Sequence, residues 1–176
     1  NGATWSTDVP FSGTTTTSAL TWSVQAKASI GNYNDNDNYL GVASSATNTF
    51  DASYDILEPP ASPGSSISLY IPHAEWDYLL GDNFSTDARP EVTLTDTMQV
   101  WDFVVKSTDA GTATLTFVYA SVPSVPVVLE NTATGARQTL SSNSTYTFTA
   151  VADSAHPFRV SIGDTTSPSL TLGSSC

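Results

Sequence analysis

Apolar and polar residues alternate over residues 19–30, and this is the longest regular pattern in the chain. Apolar side chains recur at every second position from Leu20 to Ile30, and mostly polar ones lie between them. A period of two residues is typical of a strand with one buried face. An amphipathic helix would also need apolar residues three positions apart, and no two apolar residues from Leu20 to Ile30 have that spacing. We therefore predict a β-strand over residues 19–30.

Shorter apolar runs follow from residue 66 onwards, separated by Pro, Gly, Asn and Asp, which favour turns. We predict strands over residues 39–42, 67–71, 98–106, 112–119, 125–130, 137–140, 145–151 and 157–162, with 169–172 as a candidate last strand. This pattern predicts an all-β domain, specifically an antiparallel immunoglobulin-like β-sandwich. The predicted core includes Trp22, Trp101, Phe103, Leu115, Phe117, Phe148 and Val160.

Two stretches are predicted to be loops. Residues 31–64 are rich in Asn, Asp and Pro and read as one long acidic loop region, and residues 73–90 read as a second loop. A structureless segment of about 30 residues is uncommon unless it is functional or held by a ligand. The first loop is therefore the natural place to look for a site.

Several runs together carry a family resemblance, and they span roughly residues 35–163. They are DNDNYLGVASSATNTFDASYDILEPPASPGSSISLYIPHAEW, VWDFVV, TLTF, VVLENTATGARQTL and YTFTA. This combination resembles a module of large secreted bacterial surface proteins, a sandwich similar to immunoglobulin or fibronectin domains. The resemblance implies export and a non-catalytic role, and it implies no defined ligand.

The N-terminal residues have an alternating pattern of their own, carried by Ala3, Trp5, Thr7, Val9 and Phe11. We divide the chain into an extension over 1–18, a sandwich over 19–163 and a tail or final strand over 164–176. The extension suits either a first strand of the same domain or a donor strand that inserts into a neighbouring copy. The polar spacer 12–18 is long for a hairpin, so we favour insertion and a head-to-tail homopolymer.

The charge is strongly negative, with 17 acidic against 5 basic residues and a net charge of −12. Such a surface repels nucleic acid and anionic membranes, and it favours cations. No apolar stretch is long enough to predict membrane insertion. A start at Asn1 and a low Lys content are typical of an exported chain, so we expect an extracellular or cell-surface location.

Acidic residues in the first predicted loop are candidate calcium ligands, because calcium takes several oxygen donors in irregular geometry. The candidate set is Asp35, Asp37, Asp51, Asp55 and Glu58. The Asp35-to-Leu40 run is not an EF-hand, because its sixth position is Leu rather than Gly. The alternative is that these carboxylates cap turns without a metal.

No catalytic motif is present, so we predict a protein that is not an enzyme. His73 and Glu75 form an H-x-E pair, but a zinc deaminase also needs P-C-x-x-C, and the single cysteine is Cys176. Trp76, Tyr78 and Phe84 are candidate glycan contacts, since aromatic rings stack on the apolar faces of sugars. The alternative is that these rings plug one end of the sandwich.

Three functions remain open at this point. The first is a structural subunit of a surface filament or sheath that self-associates through its N-terminal strand. The second is a carbohydrate-binding sandwich, with calcium as an optional ligand. The third and weakest is a glycoside hydrolase, for which no carboxylate pair stands out.

Overall fold

The structure is a computed structural model that describes residues 19–95 and 97–164. These residues form eleven β-strands and one 3₁₀ turn (Ala74–Trp76), with no α-helix among them. The strands are β1 (Trp22–Ile30), β2 (Tyr33–Val42), β3 (Ile56–Leu57), β4 (Ile67–Pro72), β5 (Asn83–Arg89), β6 (Gln99–Ser107), β7 (Gly111–Ala120), β8 (Val127–Asn131), β9 (Ala136–Thr139), β10 (Ser144–Ala150) and β11 (Ala155–Ile162). The all-β prediction is confirmed.

The strands form one mixed sheet in the order β10-β7-β1-β2-β5-β4-β6-β11-β8-β9, with β3 beside β5. Strand β4 connects the two halves, because its end at Ile71 and Pro72 pairs with β5 while residues 67–70 pair with β6. The sheet curls into a nearly closed barrel whose seam lies between β9 and β10. Strands β2 and β5 are parallel, so the purely antiparallel prediction is wrong for this pair. A parallel pair needs a long crossover, which residues 43–82 provide.

The core lies inside the curled sheet, where side chains from both halves meet. Trp22 of β1 and Trp101 of β6 pack edge to face, with ring centroids 5.9 Å apart. Six of the seven predicted core residues are buried, and Trp101 is 0% exposed. Phe148 is the exception: it is partly buried against Phe158, because its strand, β10, is the last in the sheet.

Both predicted loops contain strands, and this corrects the sequence reading. Strand β2 begins at Tyr33 inside the first loop, and β5 occupies residues 83–89 of the second. Asn and Asp have low β propensity, but pairing with a neighbouring strand overrides that preference. Strand β1 supplies the partner for β2 along residues 33–42. The acidic region is therefore part strand and part connection.

Some predictions fall on residues 1–18 and 165–176, which lie outside the described part of the chain. These are the N-terminal strand with Ala3, Trp5, Thr7, Val9 and Phe11, its spacer, and the candidate strand over 169–172. Within residues 19–95 and 97–164, no helix is long and apolar enough to cross a membrane.

Candidate functional site

An open cleft of about 650 Å³ lies between β2 and the segment that connects β3 to β4. The β2 side contributes Asn32, Tyr33, Asn34, Asp35, Asp37 and Tyr39, and the connecting side contributes Glu58, Pro59, Pro60, Ala61, Ser62, Ser65, Ser66, Ile67 and Ser68. Ile56, Ser85 and Thr86 complete the lining. The cleft thus combines three carboxylates, several hydroxyls and two tyrosine rings.

A β-bulge in β2 shapes the acidic wall of the cleft. Ala26 and Ala28 of β1 pair with Asn38 and Asp35 of β2, so one extra β2 residue is inserted between these pairs. A bulge breaks the strict alternation of a strand and re-aims its side chains. Asp35 Oδ2 accepts a hydrogen bond from the backbone N–H of Leu69 at 2.6 Å, and its Oδ1 accepts one from the Asn38 side chain at 2.9 Å. Asp35 therefore ties β2 to β4 as well as lining the cleft.

Glu58 lies on the opposite wall and is held in place at two points. Its backbone N–H donates to the Asn83 carbonyl at 2.9 Å, and its Oε1 accepts from the Ser68 hydroxyl at 2.8 Å. Burial raises the pKa of Glu58 to about 7; the Ser68 bond opposes this shift and the negative charge of Asp35 adds to it. Its second carboxyl oxygen accepts no hydrogen bond from a described residue.

Two further polar groups in the cleft are without partners among the described residues. Asp37 is exposed and makes neither a hydrogen bond nor an ion pair there. Thr86 is 4% exposed, and its buried hydroxyl has no hydrogen-bond partner. A buried hydroxyl without a partner costs stability, so it marks a position that a ligand atom can satisfy.

The other two predicted calcium ligands lie elsewhere. Asp55 is buried, and its two oxygens accept hydrogen bonds from the backbone N–H groups of Ala88 and Asp51 at 2.9 and 2.7 Å. Burial raises the pKa of Asp55 to about 6, although these two bonds lower it. Asp55 therefore fixes the 51–55 turn against β5, as the capping alternative expected.

The five candidate ligands thus divide into two groups, Asp51 with Asp55, and the three carboxylates of the cleft. Within residues 19–95 and 97–164, no three His, Cys, Asp or Glu side chains are placed to hold a metal ion together. Calcium in the cleft would need additional oxygen donors from hydroxyls or carbonyls. Calcium binding stays a prediction.

The candidate glycan contacts gather into one aromatic cluster with Phe50. The Phe50 ring lies 4.1 Å from Tyr78, and Trp76 lies 4.8 Å from Phe84, measured between ring centroids. Phe84 is 0% exposed, so it cannot stack on a sugar at the surface, and the plug interpretation holds for this residue. Trp76 and Tyr78 are half-buried and keep an accessible surface.

A buried charge network lies directly beneath this cluster. His73 stacks flat on Trp76 at 3.6 Å, and its ring nitrogens lie 2.6 Å from a Glu75 oxygen and 3.1 Å from an Asp87 oxygen. Asp87 also accepts hydrogen bonds from two nitrogens of the Arg89 guanidinium, Nε and Nη2. An ionised carboxylate can accept hydrogen bonds but cannot donate them. Carboxylate contacts at both ring nitrogens of His73 therefore indicate that both nitrogens carry a proton, which makes the imidazole positively charged.

The pKa shifts agree with this assignment. Burial lowers the pKa of His73, but hydrogen bonds and charge interactions with Asp87 and Glu75 raise it above its ordinary value. Burial raises the pKa of Asp87, and the contacts with His73 and Arg89 more than offset this, so its pKa is lowered. The two shifts thus both favour the charged forms of His73 and Asp87 in the folded state.

Sequence reasoning found the acidic half of the cleft but missed Tyr33, Tyr39 and Thr86, and it dismissed His73. Tyr33 and Tyr39 flank the Asn- and Asp-rich run, and this placement of an aromatic residue at each end was the sequence signal for including them in the site. Nothing in the sequence indicates that Thr86 is buried in the cleft, since that depends on pairing between β5, β2 and β3.

Comparison with known proteins gives no relative: no family model matches the chain, and neither a curated protein nor a solved structure matches it. The proposals below therefore rest on the geometry of the cleft and of the sheet.

Proposed function

We propose that this chain is a non-enzymatic, exported β-domain that binds carbohydrate in the cleft between β2 and the β3–β4 connection. The observation that carries the proposal is the lining of that cleft. Tyr33 and Tyr39 offer rings for stacking, and the carboxylates and serine hydroxyls offer hydrogen-bonding groups. Apolar faces with polar edges are the chemistry of a sugar ring, and a site of this kind pairs both.

We also propose that the curled sheet belongs to the immunoglobulin-like sandwich class, and the packing between its two halves supports this. Two halves of the sheet pack face to face across Trp22 and Trp101, and β4 passes from one half to the other. Binding sites on sandwiches of this kind sit on loops and strand ends held by a rigid core. The resemblance to a module of secreted bacterial surface proteins adds the expectation of export.

Tyr33 offers the sharpest test of the cleft, because it is 42% exposed and its removal should cost little stability. We expect the purified chain to bind at least one polysaccharide on an array, and Tyr33→Ala to weaken that binding about tenfold, or about 1.4 kcal/mol. Leu79→Ala is the control, since Leu79 is 96% exposed and does not line the cleft.

The same titration, run in excess calcium and in excess EDTA, tests calcium as a co-ligand. If calcium is a co-ligand, EDTA should weaken the binding and lower Tm, because a ligand bound only to the native state stabilises it. Binding of no polysaccharide, or equal affinity of wild type and Tyr33→Ala, would contradict the proposed function.

We propose self-association as a second function, and the open seam of the sheet is the observation that favours it. Strands β9 and β10 each pair with one strand only among the described residues. A side-chain hydrogen bond crosses the seam: the Gln138 amide donates to the Thr145 backbone carbonyl at 3.0 Å. An unpaired strand edge can accept an added strand, and the alternating residues 1–11 fit that role.

Deleting residues 1–12 should abolish concentration-dependent polymers and leave a folded monomer, if the N-terminal strand inserts into a neighbour. Replacing both Trp5 and Phe11 with Asp should have the same effect, because a buried unpaired carboxylate is costly. Sedimentation velocity and electron microscopy measure the assembly state. A wild-type chain that stays monomeric at high concentration contradicts this function.

A further inference from the structure

We infer that the cleft selects a sugar that carries a protonated amine, such as an oligomer of glucosamine, over its neutral counterparts. This inference rests on the proposed carbohydrate function and names the ligand class for the same site. Three carboxylates line the cleft, and none of its described lining residues is Lys, Arg or His. Lys106 lines the neighbouring cavity, which shares Glu58 with the cleft, but the charged side chains of the cleft itself are all acidic.

Acceptor atoms without partners are the first specific observation. Asp37 and one oxygen of Glu58 accept no hydrogen bond from a described residue. An ammonium group has three donors and no acceptor, so it fits a space rich in carboxylate acceptors. Charge-assisted hydrogen bonds of this kind are about twice as strong as neutral ones.

The buried Thr86 hydroxyl is an independent observation that points to a ligand. Its Oγ1 has no partner, although the residue is 4% exposed and lines the cleft. In β5 it lies opposite Tyr39 on one side and Ile56 on the other. A hydroxyl or amide of a bound sugar can satisfy it.

The raised pKa of Glu58 supplies a proton-linked signature of binding. At about pH 5.5, below its folded pKa of about 7, Glu58 is largely protonated. A nearby ammonium favours the carboxylate, so binding should release a proton from this group. Neutral sugars bring no charge and should release far less.

The test is calorimetric titration at about pH 5.5 with three tetrasaccharides, made of glucosamine, N-acetylglucosamine and glucose, in two buffers of different ionisation enthalpy. We expect the glucosamine oligomer to bind at least about tenfold tighter than the other two, the size of one charge-assisted hydrogen bond. Its affinity should fall with added salt, because screening weakens charge interactions.

Substitutions of single carboxylates identify which residues are responsible for the tighter binding and for the proton release. Glu58→Gln should weaken binding of the glucosamine oligomer about tenfold and reduce the proton release relative to wild type, whereas Asp37→Asn should weaken binding and keep the release. Asp102→Asn removes one negative charge from an exposed pair with Arg159 outside the cleft, and it should change neither quantity. Thermal melts of each variant establish that the fold is retained.

The outcomes separate this inference from the proposed function. Equal affinity for all three oligosaccharides, with no effect of Glu58→Gln or Asp37→Asn, overturns the amine selectivity and leaves carbohydrate binding in place. Oligolysine binding as tightly as the glucosamine oligomer also overturns the inference, since charge alone would then suffice. Failure of every oligosaccharide to bind overturns both.

Discussion

Replacing Asp87 with Asn is expected to destabilise the fold by about 3–5 kcal/mol, because it breaks a buried ionic network by removing one partner. Asp87 is 1% exposed and interacts with both the His73 ring and the Arg89 guanidinium. The neutral amide cannot compensate two positive groups that are already withdrawn from water. Urea denaturation at about pH 6 would measure the loss, since this pH lies below the raised pKa of His73 and above the lowered pKa of Asp87.

The control is Asp102→Asn, which breaks an exposed ion pair with Arg159. Their side chains are 56% and 44% exposed, so we expect a change below about 1 kcal/mol. His73→Gln should also destabilise the fold, but by less, because the Asp87–Arg89 pair remains. Equal stability of Asp87→Asn and Asp102→Asn would contradict the structural role of the network.

The pH dependence of stability follows from the signs of the shifts. His73 has a raised pKa, so its contribution is complete below its ordinary value of 6.5 and is lost as the pH rises through the folded value. Asp87 has a lowered pKa, so its contribution is present above its ordinary value of 3.8 and is lost as the pH falls through the folded value.

Asp55 and Glu58 act in the same direction as His73. Their pKa values are raised from 3.8 to about 6 and from 4.5 to about 7, so ionisation of each destabilises the fold as the pH rises across those intervals. Wild-type stability should therefore decline as the pH rises from about 4.5 to about 7 through Asp55 and Glu58, and it should decline further above pH 6.5 as His73 loses its proton. Asp87→Asn should show a shallower decline above pH 6.5, because His73 then loses its main partner.

The strands with strict alternation could be predicted from the sequence, and the reason is physical. Val24, Ala26 and Ala28 of β1 are buried and alternate with half-buried polar neighbours, so the period of two residues reports burial directly. Strand β2 could not be predicted in the same way. Asn34 and Asn38 lie on it because Ser29 and Ala26 of β1 pair with them, and pairing with another strand leaves no signal in the local sequence of β2.

The site residues show the same contrast between local sequence signals and long-range strand pairing. Asp35 and Glu58, which were grouped as candidate calcium ligands, line one cleft although their positions differ by 23 in the sequence. Asp55 was grouped with them by proximity in sequence, but its position is set by Ala88 of β5. The His73 network depends in the same way on where β5 places Asp87, which no spacing rule reveals.

Replacing Trp101 with Ala is the second change with a large expected effect, about 3–5 kcal/mol of lost stability. Trp101 is 0% exposed and contacts both halves of the sheet. Its ring packs edge to face on Trp22 at 5.9 Å, and the Arg89 guanidinium lies 4.9 Å from its centroid. Truncation would leave a cavity at the centre of the core and remove the aromatic face beneath Arg89.

Trp101→Phe separates packing from hydrogen bonding. The indole Nε1 is buried without a partner, so replacing the indole with a benzene ring loses volume but also removes an unsatisfied donor. We expect Trp101→Phe to cost clearly less than Trp101→Ala, and Leu79→Ala, an exposed truncation, to stay within about 0.5 kcal/mol of wild type.

Arg89 links Asp87 and Trp101, because its guanidinium forms hydrogen bonds with Asp87 and lies over the indole ring of Trp101. The Asp87→Asn and Trp101→Ala losses should therefore not be additive, with an interaction energy of about 0.5–3 kcal/mol in a double-mutant cycle. Strictly additive losses would mean that Arg89 does not couple the Asp87 and Trp101 sites energetically. A Trp101→Ala loss below about 1 kcal/mol would contradict the placement of Trp101 in the core altogether.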